Sequence, residues 1–248
     1  MVGNYAMSKY SWSEVRACFH GNEPWFNVFI LKYLTMPLTL FLANYTRVSP
    51  NFVTMLSLGL GISSGYFYSQ GHLSEGALAY FFSYICDAID GKLARLTKRY
   101  TFYGSWFDIV VDRIVFCSVC LGLGYSQLPA DYSLVLTGLL IFTFMLGFES
   151  RYNIQTHEIQ VLLRQNDLDA AMRWHPVKAT TSSNEKSAYG AWLERKGLVS
   201  SPFSLVEMLV FLFIIAPLIG MYTEVAVISF IILSVRILVQ QKYWLFTR

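Results

Sequence analysis

Four aspartates lie close together in an apolar part of the chain: Asp87, Asp90, Asp108 and Asp112. The first two are three residues apart and the last two are four apart, so each pair would share one face of a helix. Two antiparallel neighbouring helices joined by a short loop would bring both pairs to one depth. Because ionised carboxylates this close repel one another, protons or cations must compensate their charge. Hard divalent cations bind such oxygen ligands, and two ions sharing four aspartates would suit phosphoryl chemistry.

The residues between the two aspartate pairs favour a phosphate-bearing ligand. Gly91, Ala94 and Gly104 are small and would let a bulky ligand approach the backbone closely. Arg95 offers a planar guanidinium that can bind phosphate through two hydrogen bonds. One connected stretch therefore supplies ligands for metal ions, room for a nucleotide and a cation.

The composition predicts that an all-α integral membrane protein carries this stretch. The chain has 248 residues, of which 54% are hydrophobic and 14% charged, and its mean hydropathy is +0.43. Soluble domains usually contain about a quarter charged residues. Because a bilayer-spanning helix needs about 20 mainly apolar residues, we predict six transmembrane helices, at roughly 51–70, 74–97, 104–126, 132–154, 203–220 and 223–241.

The distribution of basic residues predicts the orientation of these helices. The three short loops at 69–76, 125–133 and 218–226 contain no Lys or Arg, whereas the other connections and both ends of the chain are basic. The positive-inside rule places the basic side in the cytoplasm. The four aspartates would then face the cytoplasm, and both termini would lie there.

Residues 24–45 are apolar but are predicted to form an interfacial amphipathic helix, bent or broken near Pro37. A seventh transmembrane helix is the alternative, and it would move Lys9 and Arg16 to the other side of the membrane. The predicted organisation is thus a cytoplasmic N-terminus with an interfacial helix (1–47) and a six-helix catalytic domain (48–248). Residues 155–202 would be a cytoplasmic connection within that domain.

The aspartate stretch resembles the signature of the CDP-alcohol phosphotransferase (CDP-alcohol phosphatidyltransferase) family at every fixed position. The matching pattern is Asp87-x2-Asp90-Gly91-x2-Ala94-Arg95-x8-Gly104-x3-Asp108-x3-Asp112. The segment VSPNFVTMLSLGLG, from Val48 to Gly61, is similar to that family's Pro-Asn-x-x-Thr start of the first transmembrane helix. The six-helix layout and the preceding interfacial helix are also similar.

The resemblance implies a role for each matching residue. Asp87, Asp90 and Asp108 would be metal ligands, and Asp112 would complete the metal site and act as the general base. The residues that would bind the CDP group are Asp87, Gly91, Ala94, Arg95, Gly104 and, on the cytidine side, Asn51 and Thr54.

The resemblance also implies a reaction. A CDP-alcohol would give its substituted phosphate group to an acceptor alcohol and release CMP, with two Mg²⁺ or Mn²⁺ ions as cofactors. One of the two substrates would carry a lipid tail and enter from the bilayer, as in phospholipid biosynthesis. We expect the protein to form a homodimer and not to bind nucleic acid.

The identity of the two alcohols stays open at the level of sequence. A phosphorylated acceptor would need extra cations near Asp112, and the candidates are Arg113, Arg151 and Arg236. Many family members with such acceptors carry a Ser-Tyr-x-Arg-Ala stretch around the end of the fourth transmembrane helix. This chain has GFESRYN there, at residues 147–153, which departs from that pattern.

The alternative functions are those of a membrane aspartate-rich prenyltransferase and of a divalent-cation transporter. A membrane aspartate-rich prenyltransferase would explain Asp108 and Asp112 but not the Asp-Gly-x2-Ala-Arg stretch. A divalent-cation transporter would need polar residues that continue across the membrane. The outer halves of the predicted helices are apolar instead.

Overall fold

The computed structural model describes residues 10–18, 24–99, 101–164 and 205–246, and within these ranges every regular element is a helix. The prediction of an all-α chain is therefore confirmed. Two π-helical segments occur: Asn27–Leu31 leads directly into α2, and Phe211–Ile215 joins α7 to α8. The α-helices are α1 (Trp12–Ala17), α2 (Lys32–Tyr45), α3 (Pro50–Ser69), α4 (Leu73–Leu96), α5 (Phe102–Gln127), α6 (Ser133–Arg164), α7 (Leu205–Val210), α8 (Ala216–Leu218) and α9 (Tyr222–Phe246).

Two helical stretches in the described residues are long and apolar enough to cross a membrane, Asn27–Tyr45 and Tyr222–Val239. The first is the segment predicted to lie in the interface. Helices α3, α4 and α5 occupy the positions of the first three predicted spans, but they are rich in glycine, serine or charged residues. The six-span layout, its orientation and the domain division at residue 47 therefore stay predictions.

The predicted cytoplasmic connection lies only partly within the described residues. Helix α6 continues beyond the predicted span and ends at Arg164, as the apolar spacing after residue 154 suggests. The rest of the connection, from residue 165 to residue 204, lies outside the described residues.

Helix α3 holds the two aspartate helices together because it packs against both α4 and α5. Its contact with α4 is polar: Ser57 Oγ donates to the carbonyl oxygen of Ser83 (2.9 Å), and Ser83 Oγ donates to that of Ser57 (2.8 Å). Its contact with α5 depends on small residues. A Cβ atom on Gly65 would lie 2.5 Å from the carbonyl oxygen of Ser118, and one on Gly122 would overlap that of Gly65. The backbones of α3 and α5 therefore approach each other at these two glycines.

This close approach predicts a difference between two glycines of one helix. We expect Gly65→Ala to lower the free energy of unfolding by about 1–3 kcal/mol, because the new methyl group would meet backbone atoms that cannot move aside alone. Gly59→Ala is the matched control, since nothing lies within 4 Å of a Cβ built there. Thermal unfolding in detergent measures both variants, and equal stability of the two would contradict the packing described for α3 and α5.

The N-terminal segment, residues 10–18, is docked on α2 and α4. Val15 is fully buried and clusters with Met36 and Leu96. The backbone of Tyr10 exchanges two hydrogen bonds with the Asn44 side chain, at 2.7 Å and 3.0 Å. A capping box between Ser11 and Glu14 starts α1, and the hydrogen bonds from the backbone and side chain of Ser11 lower the pKa of Glu14.

Helix α2 runs through Pro37 without a break. The prediction of a helix bent or broken near Pro37 is therefore wrong as regards a break. The irregular part of this segment is the π-helical turn before α2. There Tyr84 Oη donates to Asn27 Oδ1 (2.7 Å), and the backbone N–H of Phe26 donates to Oε1 of the buried Glu207 (3.1 Å). These bonds tie the start of the segment to α4 and α7.

Candidate active site

The structure brings three of the four aspartates together. One carboxylate oxygen from each of Asp87, Asp90 and Asp108 lies within 4.8 Å of the others. The fourth, Asp112, is outside this set of three, but its side chain lies beside that of Asp87. The pairing predicted from spacings of three and four therefore occurs, because α4 and α5 are both held against α3 at this level.

The three clustered carboxylates could hold a divalent cation. Oxygen donors from several carboxylates are what Mg²⁺, Mn²⁺ and Ca²⁺ prefer. Asp108 Oδ1 is buried and has no hydrogen-bond partner among the described residues, and an acceptor in that state needs a cation or a donor. Thr54 Oγ1 donates to Asp90 Oδ2 (2.5 Å) and fixes that carboxylate from α3. The residues present therefore fit a metal ion.

A cleft opens beside the cluster, between the first turns of α3, the end of α4 and the start of α5, and its volume is about 370 Å³ when the open solvent at its mouth is included. Asp90 and Asp108 line it, so the cleft and the carboxylate cluster are contiguous. Five residues that the family resemblance assigned to CDP binding also line it: Asn51, Thr54, Gly91, Ala94 and Gly104.

Local helix signals shape this cleft. Ser49 caps α3, and its side chain accepts from the N–H of Phe52, so Pro50 and Asn51 lie in the first turn of that helix. Thr101 caps α5 by accepting from the N–H of Gly104 (3.0 Å). A Cβ on Gly104 would lie 3.2 Å from Asn51 Oδ1, so the missing side chain lets the Asn51 side chain approach the start of α5.

Four further residues line the cleft and were not assigned to it from the sequence: Pro50, Arg99, Thr101 and Ser105. Three of them have a sequence signal. Pro50 begins a helix, Thr101 is a capping residue three positions before Gly104, and Ser105 follows that glycine directly. Arg99 follows the second predicted span, where the sequence favours an ordinary membrane anchor, because basic residues at the cytoplasmic end of a span usually have that role.

Arg95 and Asp87 do not line the cleft. The Nε of Arg95 donates to the carbonyl oxygen of Cys18 (3.2 Å), in the docked N-terminal segment. Its guanidinium still lies beside the cleft, since a Cβ on Gly91 would be 3.6 Å from Arg95 Nη1. Asp87 lies with the other metal-ligand candidates and adjoins Asp112. Their assignment to CDP binding stays a prediction.

The three arginines considered for the acceptor are not among the residues that line this cleft. Arg113 Nη1 donates to the carbonyl oxygen of Ile109, one turn back on its own helix (3.3 Å). Arg236 is half-buried on α9. Arg151 belongs to α6, and its side chain lies outside the described residues. Their role as acceptor ligands therefore stays a prediction.

Comparison with known families assigns the chain. Residues 47–184, more than half of the chain, match the family described as CDP-alcohol phosphatidyltransferase. The chain belongs to the CDP-alcohol phosphatidyltransferase family. In this member of the CDP-alcohol phosphatidyltransferase family, all eight residues of the signature lie inside the matched region. They include the three clustered aspartates and five of the residues that line the cleft.

Similar proteins carry names from lipid biosynthesis. The chain is 41% identical over 64 residues to a probable CDP-diacylglycerol–inositol 3-phosphatidyltransferase of Arabidopsis thaliana, which covers 26% of this chain and 27% of that protein. It is 28% identical over 82 residues to an archaetidylinositol phosphate synthase of Pyrococcus horikoshii, covering 33% of this chain and 43% of the relative. An uncharacterized protein of Aquifex aeolicus is 31% identical over 113 residues, covering 44% and 57%. The alignments thus span between about a quarter and a little over half of these relatives.

Proposed function

We propose that this protein is an integral membrane transferase that moves a substituted phosphate group from a CDP-alcohol to an acceptor alcohol and releases CMP. The observation that carries the proposal is the contiguity of the carboxylate cluster with the 370 Å³ cleft. A nucleotide in that cleft would present its diphosphate to the aspartates. Family membership supports this reaction, and by the positive-inside rule the site would face the cytoplasm.

The residues of the cleft would bind and orient the donor. Gly91, Ala94 and Gly104 leave room for the nucleotide against the backbone of α4 and α5. Asn51 and Thr54 form the opposite wall on α3. Because these residues come from three helices packed together, the donor would be held rigidly, which favours in-line attack at its β-phosphorus.

The aspartates would hold divalent cations beside the diphosphate. Asp87, Asp90 and Asp108 would provide the main ligands and Asp112 would complete the set, so that two Mg²⁺ or Mn²⁺ ions are accommodated. Bound there, such ions neutralise phosphate oxygens and stabilise the charge on the leaving group. The hydrogen bond from Thr54 would keep the Asp90 carboxylate in place.

Asp112 would act as the general base. It would take the proton of the acceptor hydroxyl while that oxygen forms a bond to the β-phosphorus of the donor. The bond between the β-phosphorus and the oxygen bridging to the α-phosphorus would break, and CMP would leave with that oxygen. The contact of Asp112 with Asp87 would orient its carboxylate.

A CDP-lipid donor and a polyol acceptor are the first substrates to test. The name of the similar plant protein contains CDP-diacylglycerol and inositol, and that of the archaeal protein contains archaetidylinositol phosphate. Among these, the departure of GFESRYN from the pattern of phosphate-binding acceptor sites favours an acceptor without a phosphate group. We therefore propose CDP-diacylglycerol and inositol as the substrate pair.

The test of this pair is a matrix of donors and acceptors with purified protein. CDP-diacylglycerol, CDP-choline, CDP-ethanolamine and CDP-inositol are each combined with inositol, inositol phosphate, serine, glycerol phosphate and diacylglycerol, and CMP release is measured. We expect turnover to be fastest for CDP-diacylglycerol with inositol. Faster turnover with another pair would overturn the substrate assignment and leave the reaction class intact.

The shape of the cleft predicts the effect of one methyl group. A Cβ on Gly91 would meet no atom closer than 3.6 Å, so Gly91→Ala leaves the fold and its stability unchanged. The methyl group would occupy space in the cleft, where its clash with the donor would cost about 1–2 kcal/mol. We therefore expect the KM for the donor to rise by about tenfold or more. The KM for the acceptor is the internal control, and an unchanged donor KM would show that the donor does not bind against α4.

A further inference from the structure

The turn between α4 and α5 has an unusual backbone. Lys98 has a φ of 55°, a left-handed conformation that few residues other than glycine adopt. Among the described residues, it is the only one other than glycine with a positive φ. The N–H of Arg99 donates to the carbonyl oxygen of Ala94 (2.9 Å), and that of Lys98 donates to the carbonyl of Arg95 (3.3 Å). This pattern closes the end of α4 in the manner of a Schellman motif. It turns the chain sharply and fixes the position of the next residue, Arg99.

The turn places Arg99 on the wall of the cleft. Arg99 shares the lining with Asp90, Gly91 and Ala94 of α4 and with Asp108 of α5. Among the described residues that line the cleft, Arg99 is the only basic one. The Nε of Arg95, by contrast, donates to the carbonyl oxygen of Cys18 in the N-terminal segment. Asp90 is buried and Arg99 is exposed, so the Asp90 carboxylate lies toward the inner end of the cleft and Arg99 toward its mouth.

We propose that Arg99 binds the α-phosphate of the donor, the phosphate that stays with cytidine when CMP leaves. The inference rests on the proposed function. The carboxylate end of the cleft would engage the reacting β-phosphate through metal ions, which leaves the α-phosphate and the nucleoside toward the mouth. A guanidinium there matches a phosphate through two parallel hydrogen bonds. Arg99 lies outside the fixed positions of the family signature, so this contact would be a feature of this chain.

The consequence is a specific pattern of affinities. CDP-alcohol and CMP both carry the α-phosphate, whereas cytidine does not. We expect Arg99→Ala to raise the donor KM and the inhibition constant of CMP by about tenfold or more each, the usual effect of losing a hydrogen bond to a charged group. Inhibition by cytidine, the KM for the acceptor and the kcat should change by less than about threefold.

Arg99→Lys separates a phosphate contact from simple attraction of an anion. Lysine keeps the charge but not the planar fork, so a bidentate contact predicts that Arg99→Lys behaves mostly like Arg99→Ala. Long-range attraction predicts that it behaves like the wild type. Lys98→Gly is the matched control, because it removes a neighbouring charge and glycine readily adopts the same positive φ. We expect this variant to resemble the wild type.

The experiment measures CMP and cytidine binding by calorimetry beside the steady-state constants. An Arg99→Ala protein that is folded, turns over and has wild-type constants for donor and CMP would overturn the inference alone. Equal weakening in Lys98→Gly, or wild-type constants in Arg99→Lys, would also overturn it. Failure of the wild type to release CMP from any CDP-alcohol, or to bind CMP, would instead overturn the proposed function.

Discussion

Replacing Asp112 by Asn is expected to lower kcat by a factor of about 100 to 10,000. The carboxamide has nearly the shape of the carboxylate but cannot take the proton of the acceptor hydroxyl. Asp112 is not one of the three residues whose oxygens cluster within 4.8 Å, and it does not line the cleft. Donor binding should therefore change by less than about threefold, which equilibrium binding of a non-reactive CDP analogue measures.

Asp131→Asn is the matched control for this variant. Asp131 is an exposed carboxylate in the connection between α5 and α6, so its replacement removes the same charge away from the site. Full turnover by Asp112→Asn would refute its role as the base. Loss of donor binding together with turnover would show that Asp112 acts mainly by holding the metal ions or the donor, and not as the base.

The second large effect is expected at Asp90, the most buried of the clustered carboxylates. Asp90→Asn removes a charged ligand oxygen from the cluster. We expect the affinity for Mn²⁺ to fall by at least about tenfold, because the loss of a residue that only hydrogen-bonds to a metal ligand already has an effect of about that size. Turnover at a fixed Mg²⁺ concentration should fall with it. Mn²⁺ titration followed by electron paramagnetic resonance measures the affinity directly, without a need for substrate.

Thr54→Val provides a graded comparison. Valine has nearly the shape of threonine but cannot donate to Asp90 Oδ2. The Asp90 carboxylate would therefore remain, but this hydrogen bond would no longer hold it in one orientation. We expect a smaller loss of Mn²⁺ affinity than in Asp90→Asn, and partial recovery of turnover at higher Mg²⁺. Unchanged Mn²⁺ affinity in Asp90→Asn would show that the cluster is not the metal site.

Much of this site could be predicted from the sequence because it depends on helical periodicity. Spacings of three and four place Asp87 with Asp90, and Asp108 with Asp112, on common faces. The short loop after Leu96 keeps the two pairs close in space, although α4 and α5 each pack mainly against α3. The small residues Gly91 and Gly104 indicate where the cleft lies, because the same periodicity places them near the aspartates on their helices. These features follow from local geometry, which a single sequence contains.

Other features depend on contacts between distant parts of the chain. Arg95 follows the family pattern, but the direction of its side chain is set by the docking of residues 10–18, which places the Cys18 carbonyl within 3.2 Å of its Nε. Arg99 looks like an ordinary anchor in the sequence, and only the positive φ of Lys98 and the closing bonds of α4 turn it to the cleft. Neither a docked segment nor a left-handed lysine has a periodic signal.

The central claim is that the aspartate cluster and the cleft together transfer a group from a CDP-alcohol. The most direct measurement is CMP release by the purified wild-type protein from CDP-diacylglycerol and inositol, after chelation of divalent cations and after their return. We expect one CMP for each phosphodiester product, no turnover in the chelated protein, and recovery with Mg²⁺ or Mn²⁺. Equal CMP release in the chelated protein, or no CMP release from any CDP-alcohol with the metal present, would contradict the account.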